Sequence, residues 1–400
     1  MHNHTALRTR VVAGVVLLGG AMALALVCGT SSHATAQAAG LWSARASAIS
    51  AGGDHTCALL FDHRVVCWGY NKYGALGNGR RVNSSTPVPV SGIANASAIG
   101  AGGEESCALL FNRKVECWGN TDFEHLSRTV KPTTNSTTPV GIRGLSDVMQ
   151  VSPGEHHACA LLYNHRAVCW GFNGWAELGS GKAYRSSSTP VPVKVITRAI
   201  AISAGYTHSC ALLSGGTAKC WGFNGDGELG NGKTTNSATP VPVKVITNAI
   251  AISAGNDYTC ALLSSRRVKC WGLNTWGLLG IGNSSSSTPF PTPRQVKGIT
   301  NATAIGAGSD HTCALLSDGT VKCWGYNDHG QLGNGKTTSS STPVLARGIR
   351  HATAISVGSS HSCALLSGGT VKCWGYNGDG ELGNHKEVDS SLPVTVIGLG

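Results

Sequence analysis

Charge is scarce in this 400-residue chain. Only 13% of its residues are Asp, Glu, Lys or Arg, about half the usual share. Serine, threonine and asparagine take the polar positions, a composition that fits an extracellular surface better than a cytosolic one. Helical periodicity is absent, which argues against a helical architecture. The 54 glycines follow no Gly-X-Y period, which excludes collagen and favours turn-rich β structure. No nucleophile–base–acid set recurs or stands alone, and no glycine loop is built to cradle phosphate. A hydrolase or nucleotide enzyme therefore has no constellation behind it. Zinc sites favour two to four residues between paired cysteines, and no such spacing is present.

What is present begins with a targeting signal. Arg8 and Arg10 form a basic start, Val11–Val27 is an apolar run short for a spanning helix, and HATAQAAG offers small-x-small cleavage sites after Ala36 or Ala38. Residues 1–36 are expected to be a signal peptide, 37–45 a short linker and 46–400 the mature domain. A lipid anchor at Cys28 is disfavoured by Val27, which stands where a lipobox has a small residue. Cleavage leaves 14 of the 15 cysteines, an even set in an oxidising compartment, and lowers the formal charge from +11 to +9. A secreted or cell-surface protein is the expectation.

Those cysteines fall into seven pairs: Cys57 with Cys67, Cys107 with Cys117, Cys159 with Cys169, Cys210 with Cys220, Cys260 with Cys270, Cys313 with Cys323 and Cys363 with Cys373. The members of each pair stand ten positions apart, with nine residues between them, and the pairs recur every 50 to 53 residues. Such a period indicates a propeller, solenoid or array. Each unit carries four strand candidates; the last is expected to begin after Pro87, Pro139, Pro190, Pro240, Pro289, Pro343 or Pro393, as suits an edge strand. Four antiparallel strands repeated seven times predict an all-β, seven-bladed β-propeller. In Cys313-ALLSDGTVK-Cys323 the Ser-Asp-Gly turn closes a hairpin that sets the two cysteines opposite each other, in a closely spaced pair. One intra-hairpin disulfide per blade is expected, contributing about 2–3 kcal/mol each. A metal site or redox dithiol is the competing reading, and the nine-residue spacing does not suit it.

The unit G-x-x-H-[ST]-C-A-L-L-x-x-G-x-V-x-C-W-G-x-N-x-x-G-x-L-G-N-G resembles the regulator-of-chromosome-condensation repeat family over residues 46–400. The paired cysteines are similar to those of exported bacterial members. The resemblance implies a propeller that acts as a binding platform and not as a catalyst, with no cofactor and no bound metal. Nucleotide exchange on a GTPase is not expected, since no unit is long enough to hold an added wedge. A monomer is expected.

Seven copies in one chain separate architecture from variation. Tryptophan follows the second cysteine in every unit, from Trp68 to Trp374, and reads as packing between blades. Two residues before the first cysteine stand His55, Glu105, His157, His208, Tyr258, His311 and His361; the five histidines read as hydrogen-bonded structural groups. Five residues after the tryptophan the chain varies, and four of the seven residues are aromatic: Tyr73, Phe123, Trp175 and Trp276, with Asp226, His329 and Asp379 elsewhere. The turn after the first strand also varies and includes Asp54, Glu104 and Tyr206. In an up-and-down blade these two loops share one face, so Tyr73, Phe123, Trp175, Trp276, Asp54, Glu104, Tyr206 and Asp226 are the candidate surface for an unidentified protein partner. The opposite face carries the hairpin turns. There Arg64, Arg113, Lys114, Arg166, Arg266 and Arg267 offer a second reading, binding of a cell-wall polymer, glycan or other polyanion. His63, Arg113, His165 and Arg266 occupy the left-handed glycine position of those turns. G-D-G-E-L-G occurs twice and resembles a calcium loop only weakly. The second unit, with NTDFEHLSRTVKPTT, departs most from the pattern.

Overall fold

The computed structural model describes residues 44–120 and 135–400, with a short strand pair, Arg10–Val12 and Val15–Leu17, near the start. Apart from those six residues, the expected leader lies outside the described residues, as does Phe123. The rest is a closed ring of seven four-stranded antiparallel sheets, each built in chain order. In blade four the strands are Ala199–Ala204, His208–Leu213, Ala218–Gly222 and Ser237–Pro242. The sequence unit is therefore the structural blade, and no strand is exchanged at the seam. Between blades seven and one, a parallel bridge joins Ala44 to Leu399, and the Gly400 N–H donates to the Ala44 carbonyl at 3.0 Å.

Hairpin geometry follows the turn chemistry. Cys210 faces Cys220 with their Cα atoms 4.1 Å apart, the close pair of an antiparallel ladder. The bridge between them recurs once in every other blade. It joins Cys57 to Cys67, Cys107 to Cys117 and Cys159 to Cys169 in blades one to three. In blades five to seven it joins Cys260 to Cys270, Cys313 to Cys323 and Cys363 to Cys373. All seven expected pairings are thus formed, and no pair is left as a dithiol. Gly216, Gly319 and Gly369 take positive φ in the plain turns, and His63, Arg113, His165 and Arg266 take it at φ 61–68° in the others. One expectation is corrected. The outer strand starts before its proline: Pro240 lies inside Ser237–Pro242, where the register with the third strand shifts between Cys220 and Gly222. The bulge there leaves no ladder bond for proline to break.

Hydrophobic cores lie between blades. Leu212, Val243 and Ile246 of blade four pack with Ile252, Ala261 and Trp271 of blade five, and the same mixture recurs around the ring. The seven tryptophans following the second cysteines have no exposed surface. Trp271 donates its Nε1–H to the Glu228 carbonyl of the preceding blade at 2.7 Å. The Thr259 hydroxyl donates to that same carbonyl at 2.9 Å and lies 2.8 Å from His208 Nε2. With its proton committed to the carbonyl, the hydroxyl must accept from histidine, which fixes the Nε2–H tautomer. Burial holds His208 at about 4, so the ring stays neutral. His55, His157, His311 and His361 make the same link to Ser106, Ser209, Ser362 and Thr56.

On the axis the blades meet through glycine. A Cβ on Gly255 would lie 2.6 Å from the Gly308 carbonyl oxygen, and one on Gly358 would lie 2.5 Å from that of Gly52. Only a residue without a side chain allows this approach.

Candidate functional site: the loop face

Two sets of loops meet on one face. The first–second turns crowd the axis, where Gly53, Gly103, Glu155, Tyr206, Asn256, Ser309 and Ser359 ring a cavity of about 90 Å³. That is far below the roughly 300 Å³ of a typical small-molecule site. The third–fourth loops reach outward across the blade boundary. Gly232 N–H of blade four donates to the Pro291 carbonyl in the outer strand of blade five at 2.8 Å, and Gly181 does the same to Ala238. Loops among the described residues are also held from within. Asn224 accepts from the Leu229 N–H and donates to the Lys233 and Thr235 carbonyls, and the corresponding Asn327 and Asn377 do likewise. The N of W-G-x-N is thus a loop organiser. It presents the variable residue two positions later on a fixed frame.

Most of the predicted residues come together here. Trp175 and Trp276 are 44% and 50% exposed, and Tyr206 is 38% exposed. Tyr73 is half-buried beside Tyr70, with ring centres 6.1 Å apart. Glu104 accepts from Asn120 at 2.6 Å, while Asp54 and Asp226 are half-buried acids raised by burial. Aromatic pairing across blades is the feature that sequence reading missed. Trp175 stands edge-on to Phe223 at 5.2 Å, Trp276 tilts over Tyr326 at 5.1 Å, and His329 meets Tyr376 at 5.0 Å. The signal was available at the x of W-G-x-N, where Tyr70, Phe172, Phe223, Tyr326 and Tyr376 are aromatic. Trp276 also sits at φ 60°, ψ 4°, a left-handed conformation that costs roughly 1 kcal/mol for such a residue.

Acids cluster inside this aromatic rim. Burial pushes Glu155 up to about 7 and Glu177 to about 7. Glu105 departs from the histidine pattern in a specific way: the residue it would bridge to, Ala158, has no hydroxyl. Both its carboxyl oxygens are buried without a hydrogen-bond partner, and burial, reinforced by Glu155, raises it to about 8. The folded state therefore holds a proton that the unfolded chain releases. The stability Glu105 allows is complete below about pH 4.5 and declines as pH rises toward 8. Glu105→Gln should remove that slope. Urea unfolding is expected to give equal stabilities at pH 5 and a gain of roughly 1–3 kcal/mol for the variant at pH 8. Parallel pH profiles would contradict this.

The opposite face is more committed. Arg64 is paired with Asp62 at 2.6 Å, and Arg113 lies over the Tyr163 ring at 4.0 Å and 3.7 Å from Asp147. His63 stands edge-on to Phe111 at 4.7 Å. Lys114, Arg166, Arg266 and Arg267 are exposed on the same turns. The structure thus brings part of the second candidate set into a ladder of basic and aromatic side chains along blades one to three, while Arg266 and Arg267 stand apart on blade five.

One form of the regulator of chromosome condensation repeat matches residues 62–109, 166–212, 217–262, 267–315 and 318–365, and a second form matches 46–75, 199–228, 249–277, 302–331 and 352–381. The chain is 27% identical over 196 residues to the ultraviolet-B receptor UVR8 of Arabidopsis thaliana, a match covering 48% of this chain and 44% of that protein. It is 41% identical over 187 residues to the human probable E3 ubiquitin-protein ligase HERC3, covering 46% of this chain and 18% of that protein. The matches thus span less than half the length of these relatives. In fold it is similar to yeast RCC1 (Prp20), solved bound to Kap60, with a TM-score of 0.74 at 20% identity over 93% of this chain and 91% of that one. The CRINKLY ectodomain of the Arabidopsis thaliana receptor kinase ACR4 is more distant, at a TM-score of 0.51 and 19% identity over 88% of this chain and 98% of that one.

Proposed function

The chain belongs to the regulator of chromosome condensation repeat family, and from that premise we propose that it is an exported, non-enzymatic platform that binds a protein partner through its loop face. The observation that carries this reading is Trp276. A large ring is held half-exposed in a left-handed backbone, tilted over the neighbouring blade, at a position where three other blades have Asp or His. Stability alone gives no reason to keep it, whereas a fixed aromatic anchor ringed by polar groups is what a binding hot spot needs. Trp175, two blades away, is likewise half-exposed and stands edge-on to Phe223 of the next blade, without the left-handed backbone. Yeast RCC1, a relative in fold, was solved with a protein bound, which fits a surface for proteins.

Export is supported by seven buried disulfides, which persist in oxidising compartments, and by the leader expected over residues 1–36. No helix among the described residues is long and apolar enough to cross a membrane. The small axial cavity favours recognition over chemistry. A monomer is the form proposed. The basic ladder of the turn face supports the second reading, a polyanion or wall polymer as partner.

The two readings separate in a pull-down from the native extracellular milieu with the mature chain as bait. Trp175→Ala/Trp276→Ala should lower partner recovery by roughly tenfold or more, and Arg113→Ala/Arg266→Ala should leave it unchanged. Loss confined to the arginine pair, abolished by salt, would transfer the function to the turn face.

A further inference from the structure

We propose that the loop face carries a divalent-cation site, fitted to calcium, where blades four and five meet, with the carboxylates of Asp226, Glu228 and Asp257 as its protein ligands. One carboxylate oxygen from each of the three lies within 4.8 Å of the others. Calcium takes oxygen ligands at about 2.3–2.6 Å, so oxygens gathered within roughly 4.6–5.2 Å of one another can share one ion. The absence of sulfur or imidazole in the set selects a hard cation.

The backbone that carries the ligands is held before any ion arrives. Asp226 and Glu228 belong to the third–fourth loop of blade four, and Glu228 Oε2 accepts from the Asp226 N–H at 3.1 Å. Asp257 comes from the first–second turn of blade five, anchored by the bond from the Leu273 N–H to its carbonyl at 2.8 Å. Three acids brought together from two blades are a different object from a contiguous calcium loop, which is why the short G-D-G-E-L-G string is a poor guide to it.

A second observation points to a ligand. Glu228 has no exposed surface, and its Oε1 is buried without any hydrogen-bond partner. A buried acceptor of this kind is costly unless something occupies it. None of the three ion pairs formed by the described residues involves Asp226, Glu228 or Asp257. The three carboxylates face one another across the blade boundary, where their like charges repel. A bound cation satisfies the buried acceptor and removes the mutual repulsion in one step.

The chain supplies its own comparison. Asp379, Glu381 and Asp54 repeat the trio between blades seven and one, again with Glu381 fully buried and its Oε1 unpartnered. There, however, Asp379 Oδ1 accepts from Asn83 at 2.7 Å, so that oxygen is already engaged. At the other described junctions the trio is broken: Tyr73, Ala75 and Glu104; Trp175, Glu177 and Thr207; Trp276, Leu278 and Asp310; His329, Gln331 and Ser360. Asp–x–Glu in one blade thus occurs, among the described residues, only where the next blade offers an aspartate.

Three protein carboxylates completed by water suit an affinity on the order of 10⁻⁴–10⁻³ M, the range of extracellular calcium modules. The test is calorimetry and thermal unfolding of the mature protein, freed of metal by chelation and titrated with CaCl₂, with MgCl₂ in parallel. Saturable calcium binding and a rise in melting temperature are expected, with magnesium weaker. Asp257→Asn should weaken calcium at the stronger site at least tenfold while melting, without calcium, no lower than the parent. Asp54→Asn should leave that site intact. No binding at 5-fold above the expected range (roughly 5 mM), a melting shift reproduced by NaCl at equal ionic strength, or equal calcium binding by the parent and Asp257→Asn would each overturn the proposal.

Discussion

Once unfolded, reduced and alkylated, the chain is expected not to regain the propeller. Each bridge closes a loop of about 11 residues and contributes about 2–3 kcal/mol in the loop-entropy account. Even half of that, over seven bridges, is about 7–10 kcal/mol, comparable with the whole stability of an ordinary domain. The native protein should behave differently. Its bridged cysteines are buried, so millimolar reductant without denaturant should leave the near-ultraviolet circular dichroism unchanged. Removing one bridge, as Cys210→Ala/Cys220→Ala, should lower the unfolding free energy by about 2–3 kcal/mol. Recovery of the native spectrum by the alkylated chain would show that the repeats close the ring without their staples.

The second large effect concerns the tryptophan between blades. Trp271→Ala empties a space enclosed by Leu212, Leu229, Val243 and Ile252 and removes the bond to the Glu228 carbonyl. A loss of about 3–5 kcal/mol is expected, read as a lower denaturant midpoint. Trp175→Ala, on the exposed rim, should cost no more than about 0.5 kcal/mol. The contrast matters for function, since a rim variant that stays folded can report on binding. Equal losses at Trp271 and Trp175 would contradict the division into scaffold and surface.

That division was largely legible in the sequence because seven copies stand in one chain. The tryptophans and cysteines that return in every unit, and the histidine that returns in five, belong to the frame, and the frame is where they lie. The count outward from Ser-Asp-Gly located the cysteine pairs correctly, because a three-residue turn fixes hairpin register. The left-handed His63 and Arg113 were legible for the same reason. Contacts between neighbouring units were not legible. The carbonyl of Glu228 collects Trp271 and Thr259 from the next blade, and no periodicity within a unit reveals which blade a side chain will meet. Asp257 occupies the same variable turn as Asp54 and Glu104, but nothing within a unit sets it beside Asp226 and Glu228. The prolines of the outer strands misled for a local reason: proline is compatible with a strand start and with an edge bulge, and only the ladder distinguishes them.

The surface assignment is tested most directly by hydrogen exchange of the mature protein with and without its captured partner. Protection should appear in the loops around Trp175, Tyr206 and Trp276, while the hairpin turns at Arg64, Arg113 and Arg266 exchange as in the free protein. Protection of those turns, with the loop face unchanged, would contradict the account.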